Sequence, residues 1–269
     1  MIRQKYEKLQ DILRELDSVV VAFSGGVDST FLLKAAVETL GRENVLAITA
    51  NSETYPLKEL EEATELAALI GAKHEVIHTS ELSIPGYAEN TINRCYFCKK
   101  GLFSELVPIL HKRNIKNIVY GLIADDLGEH RPGMQAAIEY NVRGPLQEAN
   151  LFKEEIRELS QQMGLPTWEK PSFACLSSRI AYGETITIEK LKKVDNAEIY
   201  LRSLGIKQVR VRVHGDVARI EVAPDQMHLV AEANENVSKK LEEIGFTYVT
   251  LDLVGYKSGS MNKKVESRD

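Results

Sequence analysis

The chain has 269 residues, 43% of them hydrophobic and 27% charged, with a formal net charge of −5. That supports a real core in one large domain or two smaller ones, and the acidic balance lacks the basic footprint of a general nucleic-acid binder. There is no apolar run of membrane-spanning length, Met1 to Asp17 is charged unlike a signal peptide, and three cysteines, an odd number, point to a reducing cytoplasmic compartment.

In chain order, Val19–Phe23 reads as a short buried strand and Thr30–Leu40 as a helix. Between them lies Ser24-Gly25-Gly26-Val27-Asp28-Ser29-Thr30. A strand, a glycine turn and a helix N-terminus in that order form an anion site, because backbone N–H groups converge and the helix dipole favours negative charge. Ser24, Ser29 and Thr30 add hydroxyl donors. This is not the Walker loop, since no Gly-Lys-Ser/Thr follows at the required spacing. The plainer alternative is an ordinary turn, which has no use for two glycines, an acid and three hydroxyls together. Val45–Ala50, His74–His78 and Asn117–Tyr120 then read as strands, with Pro56–Ile70 and Leu102–Arg113 as helices. The alternation predicts an α/β fold, a doubly wound parallel sheet with helices on both faces. Nucleotide sites in such sheets lie beyond the carboxyl ends of the strands, where the Ser24 loop, Asn51-Ser52-Glu53 and the segment from Gly121 to Gly133 fall.

Cys95-Tyr96-Phe97-Cys98 is a single CxxC, and Cys175 stands far away in sequence. A four-ligand zinc site lacks its fourth ligand, and a thioredoxin-like redox pair leaves Cys175 unexplained. Three thiolates suit a [4Fe-4S] cluster with one iron open, and ordinary buried thiols are the plainer reading.

After about Thr185 the pattern changes to a smaller α+β domain: helix Thr187–Leu204 ended by Gly205, strands Gln208–Val213 and Val217–Val222, helix Pro224–Ile244 and strand Thr247–Leu253. Topology alone places the break near Gly183, giving domains 1–183 and 184–269. A two-residue type II′ turn at Gly215-Asp216 sets the hairpin register. Val209, Val211 and Val213 then share an apolar face with Val222, Ile220 and Ala218. On the other face Arg210 opposes Glu221 and Arg212 opposes Arg219. Two arginines directly opposite call for an anion or a further acid, and a phosphate is the simplest ligand. A solvated rim of arginines with a neighbouring carboxylate is the alternative.

Ser24–Thr30 resembles the SGGxDS loop of the ATP pyrophosphatase (PP-loop) superfamily, whose members split ATP between the α and β phosphates. With Ala50-Asn51-Ser52-Glu53, Arg131-Pro132-Gly133, Cys175-Leu176-Ser177-Ser178-Arg179, Tyr200-Leu201-Arg202-Ser203-Leu204-Gly205 and Val209–Val213, nearly the whole chain resembles the LarE family. These are ATP-dependent sulfur insertases of nickel-pincer cofactor biosynthesis for lactate racemase. The resemblance implies a pyridinium-3,5-biscarboxylic acid mononucleotide substrate, whose carboxylates are adenylylated and then converted to thiocarboxylates. It implies that Ser24, Gly25, Gly26, Val27, Ser29 and Thr30 hold the phosphates of ATP and that Asp28 positions Mg²⁺. Asn51, Ser52 and Gly121 would lie beside the nucleotide. Asp126 would be a further metal or substrate-site acid, or else a loop cap. Lys99 and Arg131 would neutralise phosphate charge, or else be surface cations.

By the same resemblance Ser178, Arg179, Arg210 and Arg212 would bind the substrate phosphate. Glu198 and Glu221 would meet metal or substrate, or else be acids on charged faces. Some members of the family sacrifice one cysteine's sulfur and lack the CxxC pair. Others carry three cysteines and resemble cluster-dependent insertases, and Cys95, Cys98 and Cys175 place this chain with them. The family assembles as a hexamer. The competing readings are sacrificial transfer from Cys175, a tRNA thiolase, an amide-forming synthetase admitting ammonia, and a non-enzymatic nucleotide sensor or iron–sulfur carrier.

Overall fold

A computed structural model describes residues 2–127, 132–171, 174–257 and 259–261. The elements are α1 (Ile2–Leu16), β1 (Val19–Ala22), α2 (Val27–Leu40), β2 (Val45–Asn51), α3 (Leu57–Ile70), β3 (Lys73–His78), α4 (Arg94–Lys112), β4 (Asn117–Tyr120), α5 (Pro132–Glu139), α6 (Pro145–Glu148) and α7 (Lys153–Gln162). They are followed by α8 (Ile188–Ser203), β5 (Val209–His214), β6 (Val217–Val222), α9 (Met227–Glu232), α10 (Asn234–Ile244) and β7 (Tyr248–Leu251). The chain forms two compact units, Met1–Glu81 with Cys95–Phe173, and Leu82–Arg94 with Ala174–Asp269. Among the described residues no helix is long and apolar enough to cross a membrane.

The first unit is the α/β part. Its sheet runs β3-β2-β1-β4, and every pairing is parallel. β1 is buried along its whole length, so its residues alternate between two cores rather than between core and water. Val19 and Val21 enter a cluster with Leu13, Phe31, Leu33 and Ala67, while Val20 and Ala22 enter one with Phe103, Leu106, Ile118 and Ala136. Helices therefore cover both faces, as a parallel sheet requires.

The second unit is a three-stranded sheet with α8, α9 and α10. β5 and β6 form the antiparallel hairpin in the register read from the sequence, with Arg210 opposite Glu221 and Arg212 opposite Arg219. Gly215 has a φ of +57° and Asp216 does not join the positive-φ residues, the pattern of a type II′ turn. β7 pairs parallel to β6.

Several element boundaries differ from expectation, α2 beginning at Val27 rather than Thr30. α4 begins at Arg94 rather than Leu102, so the CxxC pair lies in its first turns. The helix expected over Pro224–Ile244 is a 3₁₀ turn, Pro224–Gln226, followed by α9 and α10, with Ala233 between them. The final strand is confined to Tyr248–Leu251.

Candidate functional site

The Ser24 loop is held by close packing and by its own polar groups. Gly25 has a φ of +61°, and a Cβ there would lie 3.0 Å from the Ala63 Cβ, so both backbone angle and space demand glycine. Gly121, just past β4, leaves room for the start of α2: a Cβ on it would meet the Ser29 nitrogen at 3.0 Å. Ser29 Oγ accepts from the Ser24 N–H at 3.3 Å and lies 3.1 Å from Ser24 Oγ. The Tyr55 hydroxyl donates to the Ser24 carbonyl at 2.8 Å. Gly26 caps α2, Val27 opens it, and Ser24 remains exposed. Thr30, expected to donate its hydroxyl, is instead fully buried, and its Oγ1 has no partner among the described residues.

Asp28, in the first turn of α2, meets a residue that sequence reasoning missed. Lys153 Nζ donates to both its carboxylate oxygens at 2.8 Å. Lys153 is the first residue of α7, where a cation opposes the helix dipole, so helix stability does not explain it. Its backbone N–H is held by the Asp125 carboxylate at 2.8 Å. A second missed cation, Lys170, donates to the Gly25 carbonyl at 3.3 Å and to Glu59 and Glu62 at 2.8 and 2.7 Å. Burial works against its charge, but hydrogen bonds and the charges of the two glutamates outweigh that and raise its pKa. A signal for both lay in the acids they pair with, but no local spacing links them.

Asn51 ends β2, and its carbonyl accepts the Thr79 N–H at 3.0 Å. Ser52 Oγ contacts Thr54 Oγ1 at 3.2 Å, beside buried Glu81, whose carboxyl burial pushes up. Asp126 is buried, and its carboxylate accepts the Ile123 N–H at 3.1 Å as a cap. Lys99 lies over the Phe103 and Tyr120 rings, at 5.9 and 5.8 Å from their centroids. Arg131 lies outside the described residues.

In the second unit the charged residues converge. Glu198 is fully buried, and its oxygens accept from Arg179 Nε and Nη2 at 2.9 and 3.1 Å, from Arg202 at 2.7 Å and from the Val211 N–H at 3.1 Å. Burial alone would raise its pKa, but the Arg179 charge and hydrogen bond outweigh burial and hold it low. Glu221, also fully buried, pairs with Arg212 at 2.8 Å and Arg219 at 3.0 Å rather than with Arg210 across the ladder. Asp252 takes the other side of Arg219 at 2.8 Å. Acids from this unit thus resolve the Arg212–Arg219 opposition.

Arg210 is different. It is 6% exposed, donates to the Val209 carbonyl at 2.8 Å and lies over the Tyr256 ring. Burial and the Arg179 charge pull its pKa down to about 10. Burial is the larger cause, so the shift reflects lost solvation before it reflects neighbouring charge. Ser178 Oγ accepts from Arg179 at 3.1 Å, and its carbonyl accepts from Arg212 at 3.2 Å.

Cys95, Cys98 and Cys175 form no disulfide. Cys95 and Cys98, one turn apart on α4, belong to the first unit, and Cys175 to the second. Among the described residues no three His, Cys, Asp or Glu side chains stand together as a metal requires.

The parallel sheet, the loop at the end of β1 and the acid in the first turn of α2 define an ATP-using enzyme of the PP-loop, NAD synthase-like class. The NAD synthase family model matches residues 1–90. An NH₃-dependent NAD⁺ synthetase of Methanopyrus kandleri is 40% identical over 75 residues, 28% of this chain and 26% of that one. Similarity over the whole length is narrower in kind. An uncharacterised protein of Synechocystis sp. is 46% identical over 98% of both chains. The pyridinium-3,5-bisthiocarboxylic acid mononucleotide synthase of Lactiplantibacillus plantarum is 42% identical over 93% of this chain and 91% of its own. The chain belongs to the family of that synthase, the LarE family.

Proposed function

We propose that this protein uses ATP to insert sulfur into pyridinium-3,5-biscarboxylic acid mononucleotide, yielding thiocarboxylates. A carboxylate is a poor electrophile with a poor leaving group. Attack of one carboxylate oxygen on the α-phosphate of ATP gives an acyl-adenylate and releases pyrophosphate. Sulfur then attacks the acyl carbon, and AMP leaves with the carboxylate oxygen.

The observation carrying this reading is the glycine-forced phosphate loop, on a chain whose second unit gathers the buried guanidiniums of Arg179, Arg210 and Arg212. The loop accounts for ATP, and the arginine cluster for a second anionic ligand, the substrate phosphate, held by Ser178, Arg179, Arg210 and Arg212. Asp28 suits Mg²⁺, which characteristically takes one or two carboxylates together with substrate phosphates. When bound, Mg²⁺ offsets the charge developing between the α and β phosphates. Lys153, relieved of Asp28, would then face the phosphates. Asn51, Ser52 and Gly121 flank the nucleotide in this reading. The buried pairs of Glu198 and Glu221 support a role in shaping the phosphate pocket.

For the sulfur, the proposed holder is a [4Fe-4S] cluster on Cys95, Cys98 and Cys175, supported by their number and the CxxC spacing alone. Sacrifice of the Cys175 sulfur is the alternative. A domain break near Gly183 on topology alone (1–183 and 184–269), a cytoplasmic setting from the cysteine count and a homohexamer on family grounds complete the proposal.

The test is product analysis. AMP and pyrophosphate should form from ATP only when the dicarboxylate mononucleotide is supplied, with thiocarboxylate appearing in the presence of a sulfur source. Release of ADP and orthophosphate would overturn the reading. Amide formation with ammonia would replace it with a synthetase.

A further inference from the structure

Within the second unit, one short stretch has most of its carbonyls bound by buried side chains, in addition to its own backbone hydrogen bonds. Between Ala174 and Ala181, six carbonyls accept from four residues. Arg179 takes those of Ala174 and Cys175, and Arg94 that of Ser177 at 3.0 Å. Arg212 takes that of Ser178 at 3.2 Å, and Asn90 those of Ile180 and Ala181 at 3.1 and 2.8 Å. Asn90 is 0% exposed, Arg179 1%, and Arg94 and Arg212 5% each. An ordinary loop leaves its carbonyls to water without cost. Directing three buried guanidiniums at one loop carries a desolvation penalty that stability alone does not explain.

Two of the four, Asn90 and Arg94, come from a segment some eighty residues earlier in the chain and bind each other, Arg94 Nη1 donating to Asn90 Oδ1 at 2.6 Å. Asn90 holds a φ of +52°, and its carbonyl receives the Gly183 N–H at 3.1 Å. From the same segment Tyr87, 1% exposed, donates its hydroxyl to Ser177 Oγ at 2.8 Å. The Asn90 amide therefore has both donors and its acceptor engaged in one arrangement. Cys175, at the head of this braced stretch, keeps a half-buried thiol.

We propose that Asn90 and Arg94 are positioning residues for Cys175, fixing the Ser177–Ala181 backbone that follows it so that its thiol meets the activated acyl group in the sulfur step. The inference rests on the proposed function for the role of Cys175, and it holds whether that thiol gives up its sulfur or holds a sulfur carrier. A reacting atom misplaced by about 1 Å loses on the order of a hundredfold in rate, so a brace of this kind acts on sulfur transfer and leaves adenylylation alone.

The experiment compares Asn90→Gly, which removes the amide while tolerating the positive φ, with wild type. Hydrogen exchange of the 174–181 amides should accelerate at least about tenfold. Pyrophosphate release should stay within about twofold while thiocarboxylate formed per pyrophosphate falls at least about tenfold. Arg94→Lys should recover part of the transfer lost in Arg94→Met. Tyr87→Phe, which deletes one hydroxyl, should move both readouts in the same direction and serves if Asn90→Gly does not fold. Unchanged exchange in 174–181, or pyrophosphate release falling in step with thiocarboxylate, would overturn the proposal. A wild type that makes no thiocarboxylate would instead remove the proposed function, with exchange still deciding whether the brace exists.

Discussion

Lys153 and Asp28 show how one pair of side chains ties the loop to its expected chemistry. A carboxylate that binds Mg²⁺ beside triphosphate needs a countercharge while the site is empty, and Lys153 supplies it with both oxygens engaged. Lys153→Met should therefore weaken ATP·Mg²⁺ binding by about 1.5–3 kcal/mol, the range of a charge-assisted hydrogen bond, measurable by calorimetry. Asp28→Asn should remove adenylylation with the fold intact by circular dichroism. Arg210 and Arg212 separate in the same manner. Arg210→Ala should weaken the mononucleotide far more than its dephosphorylated form if Arg210 holds the substrate phosphate as proposed. Arg212→Ala should also lower stability, because it takes a partner from fully buried Glu221.

Glu198 supplies the pH dependence. Its pKa is held low in the folded protein, so its contribution to stability is present in full above the unfolded glutamate value, about 4.3. That contribution is lost as pH falls through the lowered folded value. Glu198→Gln should cost about 3–5 kcal/mol at neutral pH and flatten the acid limb of the unfolding curve. Equal acid sensitivity of wild type and variant would show that the pair contributes nothing.

Among the elements, glycines with positive φ divide by function. Gly215 has nothing within 4 Å of an added Cβ, so Gly215→Ala should cost only the backbone term, about 1–2 kcal/mol, and leave activity intact. Gly25→Ala meets both the backbone term and Ala63, and should abolish pyrophosphate formation. The strands and the hairpin register were legible because β1, β2 and β4 are largely buried apolar runs and the two-residue Gly215-Asp216 turn sets the pairing. The start of α4 was missed although Asn93, immediately ahead of Arg94, is a residue type that favours helix N-caps. The break in the last helix was not legible, since Ala233 gives no sign of a stop. At the site, the phosphate loop was readable from residue type and order. Lys153, Lys170 and Asn90 were not, because each acts on a partner 80 or more residues away in sequence, and nothing local marks such a pair.

For the whole molecule, the division of the chain bears on where the sulfur comes from. The phosphate loop, Cys95 and Cys98 belong to one unit, while Cys175 and the arginine cluster belong to the other. In the proposed reading the phosphate loop serves activation and the cysteines serve the sulfur step, so their failures should be separable by mutation. If the three thiols jointly hold a [4Fe-4S] cluster, protein prepared without oxygen should contain iron and acid-labile sulfide, and replacing any one cysteine by alanine should remove both. Pyrophosphate release should survive all three replacements. Supplied with sulfide, the wild type should turn over repeatedly with its intact mass unchanged. A mass loss equal to one H₂S per chain, with a single turnover and full activity after Cys95 and Cys98 are replaced, would instead identify Cys175 as the sacrificed donor. The mass spectrum decides between the two because one mechanism regenerates the protein and the other consumes it.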